Sequence, residues 1–252
     1  MIQIKSSKDI ASMMKACELS QQVLMYAGEV LQPGMSTLEL DRLIHEFIVK
    51  RGGKPSFLGL YGFPGNACIS VNEELIHGIP KKDKIIKDGD IVSVDVGACI
   101  EGFHGDNAYT FAVGSVKPEA QRLLDVTKQS LYEGIKMARK GNRIGDIGNA
   151  IQTYCESNGY YIVKKYIGHG VGRDMHEDPE VPNYGKPGRG PRLVPGMTIA
   201  IEPMVNVGTH EVRILRDGWT VVTTDGKLSA HYENTVLITD GEPEILTVTE
   251  GL

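Results

Sequence analysis

Apolar positions along the chain recur with two different periods. From Ser7 to Leu31, Ile10, Met13, Met14, Cys17, Leu24, Ala27 and Leu31 share one side of a helix, which Pro33-Gly34 ends. Ser36-Thr37-Leu38-Glu39 has the pattern of a capping box. The helix it opens carries Leu40, Leu43, Ile44, Phe47 and Ile48 as a stripe, and Gly52-Gly53 supply a left-handed stop. The plan then returns. Pro118 fits the first position of a helix that runs to about Lys140 and stops at Gly141. A further helix carries Ile144, Ile147, Ile151 and Tyr154 up to Asn158-Gly159. After each helix pair the pattern turns strand-like: Ile91-Val92-Ser93-Val94-Asp95-Val96, then Met197-Thr198-Ile199-Ala200-Ile201-Glu202, each led by a turn glycine, Gly89 or Gly196.

The recurrence has a fixed offset. Gly34 and Gly141, Ile44 and Ile151, Gly52 and Gly159, Gly89 and Gly196, and Asp95 and Glu202 all lie 107 residues apart. Beyond that point an insertion of 20 residues enters, and His104 to His231 and Asp106 to Glu233 are each 127 apart. The expectation is a single α/β domain over 1–252, with related halves at about 8–113 and 118–239. Helices followed by strands in each half suit an antiparallel-rich sheet backed by helices.

The repeat pairs acids with acids. Val92, Val94 and Val96 share one face of their strand and Asp95 takes the other. His104 and Asp106 share a face, as do His231 and Glu233. A lone acid in a strand is ordinarily a solvated surface residue. Four acids converging on a pseudo-axis would carry a charge of about −4, too costly to bury without counter-charge. Two divalent cations would balance them, which gives the symmetric placement a reason. Of the seven histidines, His45 and His210 read as structural or exposed, and His104 and His231 as partners behind the acids. His169 sits between Gly168 and Gly170, which would let another group approach the imidazole; His77 and His176 lie in Gly/Pro-rich loops.

Composition narrows the function classes. There are 27 basic and 32 acidic residues, a net charge of −5, so no global nucleic-acid footprint exists. No apolar run approaches the ~20 residues of a membrane span. The N-terminus lacks the apolar core of a signal peptide. The four cysteines, Cys17, Cys68, Cys99 and Cys155, are scattered and read as buried thiols of the cytoplasm. Thirty glycines without a low-complexity tract imply many backbone roles.

The stretch Tyr166-Ile167-Gly168-His169-Gly170-Val171-Gly172-Arg173-Asp174-Met175-His176-Glu177-Asp178-Pro179, continuing through Val181-Pro182-Asn183-Tyr184, resembles the signature of type I methionine aminopeptidases. Cys68-Ile69-Ser70-Val71-Asn72-Glu73 before His77-Gly78-Ile79-Pro80, and Gly196-Met197 through Ile201-Glu202-Pro203, resemble the same family. The likeness covers essentially the whole chain and implies the pseudo-two-fold pita-bread fold. It implies a metal held by Asp95, Asp106 and Glu233, and a second held by Asp106, His169, Glu202 and Glu233. Mn, Fe or Co would suit these donors, and Zn is compatible.

The activity implied is hydrolysis of the N-terminal Met–X bond of nascent polypeptides when X is small, with the substrate's free amine on one metal. Glu202 would shuttle the proton, His176 would stabilise the oxyanion, and His77 would bond the backbone nitrogen of the second residue. The matching methionine pocket is Phe57, Leu60, Phe63, Cys68, Met175 and Trp219; Leu60 and Met175 stand where some members carry aromatics. The chain shows neither an N-terminal zinc-binding extension nor room for a type II insertion between Glu202 and Glu233, so the bare bacterial style, a monomer by family precedent, fits best. The Lys81-Lys82-Asp83-Lys84 and Arg189-Gly190-Pro191-Arg192 clusters are solvated loops by default, with transient ribosome contact as the minority reading. An X-Pro aminopeptidase or dipeptidase shares the fold and ligands but usually carries a sizeable N-terminal domain. A non-catalytic peptide-binding relative would have lost ligands.

Overall fold

Four helices form where the apolar stripes predict them. The computed structural model describes residues 1–248, so the last four residues of the expected 1–252 domain lie outside the described residues. The first helix, α1, spans Ser7–Val30, and its start is fixed by Ser6: the hydroxyl accepts from the Asp9 amide at 3.3 Å while the Asp9 carboxylate accepts from the Ser6 amide at 3.1 Å. This full capping box is not among the sequence expectations, because Asp stands where Glu or Gln is the usual cue. α2 spans Thr37–Lys50, and Ser36 accepts from the Glu39 amide at 3.1 Å. α3 spans Pro118–Lys136 and α4 Ile144–Ser157. α3 ends earlier than Lys140: tight turns follow, with the Met137 amide on Gly134 and the Ala138 amide on Ile135, and Asn142 Nδ2 donating to the Met137 carbonyl at 2.9 Å. Met14 also departs from expectation. It is exposed, and the buried face of α1 runs instead through Met13, Ala16, Cys17, Ser20, Val23, Leu24 and Ala27.

The strands are Lys54–Pro55 (β1), Ala67–Val71 (β2), Glu74–Ile76 (β3), Ile91–Ile100 (β4) and Phe103–Ala112 (β5) in the first half. Tyr161–Ile162 (β6), Gly168–Gly170 (β7), Glu177–Val181 (β8), Thr198–Ile201 (β9) and Met204–Asn206 (β10) follow. Val212–Ile214 (β11), Val221–Thr223 (β12), Ser229–His231 (β13), Glu233–Leu237 (β14) and Glu244–Ile245 (β15) complete the set. The main sheet has the order β1-β4-β5-β14-β9-β7-β8, with β2 also paired to β4 and β15 to β14. All of its recorded pairings are antiparallel.

One face of the sheet carries the helices. Leu24, Ala27, Leu40, Ile44 and Ile48 of α1 and α2 pack on Val92, Val94 and Val96 of β4. Leu123, Leu131, Ile147 and Ile151 of α3 and α4 pack on Ile199, Ile201 and Val236. Each fully buried aliphatic side chain contributes about 1.5–3 kcal/mol, so these layers are what holds the strands in register. The turn glycines at the 107-residue offset take matching left-handed φ: +91° at Gly34 and Gly141, +78° and +85° at Gly52 and Gly159, and +88° at Gly89 and Gly196. Gly105 has a different task. A Cβ there would lie 2.5 Å from the Cα of Cys17, so α1 rests directly on β5 one residue before Asp106. Among the described residues no helix is long and apolar enough to cross a membrane, and all four cysteines are free.

Candidate metal centre and pocket

Five neighbouring strands of the main sheet bring one predicted ligand each. Asp95 lies on β4, Asp106 on β5, Glu233 on β14, Glu202 directly after β9, and His169 on β7, following the strand order of the sheet. Register explains the convergence. Asp95 and Glu233 both stand opposite Ala108, on either side of β5, and Asp106 lies two residues before Ala108 on the same strand. Directly opposed residues and residues two apart share a face, so three carboxylates surround the small methyl of Ala108. Glu202 is one step beyond the Ile201–Asn234 pair, beside Glu233.

Ligand atoms of Asp106, His169 and Glu233 lie within 4.8 Å of one another, and so do those of Glu202, His231 and Glu233. His169 Nε2 is 3.5 Å from Asp106 Oδ2 and 3.7 Å from Glu202 Oε1. These spacings suit donors facing a common cation. His169 Nδ1 is 2.8 Å from the Gly170 carbonyl, which can only accept, so Nδ1 carries the hydrogen and Nε2 is turned to the acids. Asp95 Oδ1, Asp106 Oδ1 and Glu233 Oε1 are buried without a hydrogen-bond partner. Buried oxygens of this kind are expensive unless a cation or proton meets them, so the donor set fits hard divalent ions. Burial, followed by the neighbouring carboxylates, holds Asp95 and Glu233 well above the usual carboxylate range. Burial pulls His169 down, but Asp106 and Glu202 outweigh it and lift the imidazole to about 9.

The glycines beside His169 do not do what the sequence suggested. A Cβ on Gly168 would strike the Ala200 carbonyl and one on Gly170 the Asp178 carbonyl. They let β8 and β9 close on β7, rather than opening a path to the ring.

The six predicted pocket residues fall in one apolar cluster: Phe57, Phe63, Cys68 and Met175 are buried together, and Leu60, Trp219 and Ile79 pack against them. Cys68 stands opposite Asp95 in the β2–β4 pairing, which ties the pocket wall to the acids. Burial, then Asp95, pushes the Cys68 thiol well up, so it stays neutral. Trp219 sits in the β11–β12 hairpin, within the inserted segment, and meets Phe63 edge-on at 5.2 Å. β12 pairs with β3, which leads into His77. One cavity of about 660 Å³ spans both ends and is lined by the acids, His169, His77, His176, Phe57, Leu60, Phe63, Cys68 and Trp219. Met175 supports the wall from behind.

His77 adopts a left-handed φ of +57°, unusual outside glycine, and burial, then His231 and His176, pushes it down to about 4. It is neutral near pH 7. His176 is exposed at the mouth, with its ring 4.4 Å from that of His169. Sequence reasoning did not single out Tyr61, whose ring stacks on His176 at 5.8 Å, or Tyr166, which meets His77 edge-on. Tyr61 lies between Gly59 and Gly62, and that flanking pair was the available signal. His45 bonds Asn66 at 2.9 Å, and His210 is exposed beside Glu211, both away from the cavity. In the basic loop, Lys81 pairs with Asp217 at 3.1 Å and Lys84 with Glu74 at 2.7 Å.

The model of metallopeptidase family M24 matches residues 11–240. The chain belongs to that family. It is 54% identical over 248 residues to a methionine aminopeptidase of Clostridium perfringens, covering 98% of this chain and 99% of the relative. The crystal structure of methionine aminopeptidase from Rickettsia prowazekii superposes with a TM-score of 0.96 at 40% identity, over 98% of this chain and 100% of that one. A prolidase from Pyrococcus furiosus gives 0.81 at 26% identity, and only 66% of its chain is covered. The fold is the pita-bread fold of M24, and the chain is a metallo-aminopeptidase of the methionine aminopeptidase type.

Proposed function

We propose that this M24 enzyme removes the initiator methionine from nascent polypeptides in the cytoplasm, using two divalent ions held by Asp95, Asp106, His169, Glu202 and Glu233. The observation that carries the reading is the single cavity in which buried, unpartnered carboxylate oxygens at one end meet an apolar pocket at the other. When bound, two such ions lower the pKa of a water and polarise a carbonyl. The chain's own residues do the rest. The pocket of Phe57, Leu60, Phe63, Cys68 and Trp219 takes the methionine side chain and excludes water. Glu202 carries a proton from the attacking water to the leaving amine. His176 donates to the scissile carbonyl oxygen as it gains charge. Neutral His77 accepts from the backbone N–H of the second residue. Tyr61, His77 and His176 crowd that residue, which favours a small side chain there.

The donors suit Mn, Fe or Co, and Zn is compatible. The equivalent turn glycines support two related halves within one domain, and the family resemblance suggests that it acts as a monomer. Lys82, Arg189 and Arg192 support a transient contact with the ribosome. Charge reversal of all three should weaken salt-dependent cosedimentation, and unchanged cosedimentation would remove that part of the reading.

The decisive experiment is metal analysis of anaerobically purified protein, paired with hydrolysis of Met-Gly and X-Pro peptides side by side. Two metals per chain and release of methionine are expected. Cleavage of X-Pro peptides alone would overturn the assignment.

A further inference from the structure

The five-ligand set leaves one buried group without a task. His231 ends β13, two residues before Glu233, and its side chain is 2% exposed. Neither ring nitrogen has a hydrogen-bond partner. Its counterpart 127 residues earlier, His104, has Nδ1 2.9 Å from Ser56 Oγ and an ordinary outer position. His231 Nε2 instead lies 3.5 Å from Glu202 Oε2 and 4.0 Å from Glu233 Oε2.

The tautomer follows from counting partners. With the hydrogen on Nδ1, a buried donor would have nothing to give to, and the Nε2 lone pair would face two carboxylates. With the hydrogen on Nε2, the N–H faces Glu202 and Glu233, and only an acceptor is left unpartnered. The second arrangement costs less. A role as a sixth ligand fits worse. Ligating imidazoles generally anchor their other nitrogen, as His169 does on the Gly170 carbonyl, and His231 Nδ1 has no such anchor.

We propose that His231 is a positioning residue for Glu202. Its ring directs Nε2–H at Oε2 across 3.5 Å, which leaves Oε1 facing His169. The Glu202 peptide is fixed separately, by Asn183 Nδ2 on its carbonyl at 2.9 Å, so the histidine acts on the carboxylate. The inference rests on the proton-carrying role proposed for Glu202.

The test compares metal-loaded wild type with His231→Leu, which removes the N–H, and His231→Gln, which keeps a terminal N–H. His231→Leu should lose about 10–100-fold in kcat on a Met-Gly peptide, with KM little changed and both metals retained, and His231→Gln should recover most of it. Nitrogen-15 NMR of the wild type should show Nε2 protonated and Nδ1 bare. Unchanged kcat in His231→Leu, loss of one metal equivalent in both variants, or a protonated Nδ1 would each overturn the proposal. If the wild type failed to cleave Met peptides, the functional reading would fall, while the tautomer and metal content would still judge the placement of His231.

Discussion

At one end of the cavity Phe57, Phe63, Cys68 and Met175 are buried against one another, with Trp219 edge-on to Phe63. At the other end Asp95, Asp106 and Glu233 bury oxygens that no hydrogen bond reaches. The first end stabilises the fold whether or not anything is bound. The second is a cost the sheet bears, and the helix layers beneath β4, β9 and β14 hold it in place. The acids stand on paired strands, whereas the apolar end is built mostly from the first half's loops and β2, with Trp219 of the inserted hairpin closing on it; in the proposed reading the first end does the chemistry and the second recognises shape. The two ends should therefore fail separately.

The largest effect belongs to the charged end. Glu202→Gln and His169→Ala should lower kcat on a Met-Gly peptide by about 10²–10⁴-fold. Binding of free methionine, read from the fluorescence of Trp219, the chain's one tryptophan, should survive in both. Near-wild-type turnover would break the division at its strongest point. Between the ends, His176→Ala should cost about 10²–10³-fold in kcat, as for loss of an oxyanion donor, and His77→Ala should also impair turnover. Both should keep their metals, because neither residue belongs to the acid cluster. Metal loss on either substitution would mean that the boundary is drawn in the wrong place.

Much of this was legible in the sequence because the physics was local or repetitive. The helices follow from their stripes, and the acids from an offset that no surface role required. What was not legible came from register and packing. Nothing local says that Gly168 and Gly170 serve strand contact, since both expectations need only a missing Cβ. His104 and His231 have the same spacing to an acid, yet one finds Ser56 and the other finds nothing but carboxylates. Met14 lost its place on the buried face because adjacent helix positions differ by about 100°, and packing on β5 selects Met13.

Acidity offers a sharper probe of the charged end. In the proposed site, metal binding would need His169, Asp95 and Glu233 deprotonated, and all three are raised, His169 to about 9. Protons must therefore leave as metal enters. Apparent affinity should climb by roughly tenfold per pH unit for each proton displaced, from pH 6 toward 9, where His169 ceases to compete. His77, pushed down to about 4, should add no step in that window. Calorimetry in two buffers of different ionisation enthalpy would count the protons. A pH-independent affinity would show that the cavity does not store the protons that its burial implies.

The smallest effect belongs to the apolar end, and it separates wall from support. Phe63 lines the cavity and touches Trp219, whereas Met175 is packed behind it. Phe63→Ala removes apolar area that would cover a methionine side chain, so KM for a Met-Gly peptide should rise about tenfold. Met175→Ala leaves a hole away from the ligand, so its cost should appear in unfolding, about 2–5 kcal/mol, with a smaller change in KM. Denaturant unfolding and steady-state kinetics on the two variants, each with metal content measured, read both quantities. Metal content should be unchanged in both, since Cys68 and Asp95 stay paired across β2 and β4 without either side chain. If Met175→Ala instead lost turnover with its stability intact, the supporting layer would be part of the recognition surface, and the pocket would extend one shell deeper than its lining.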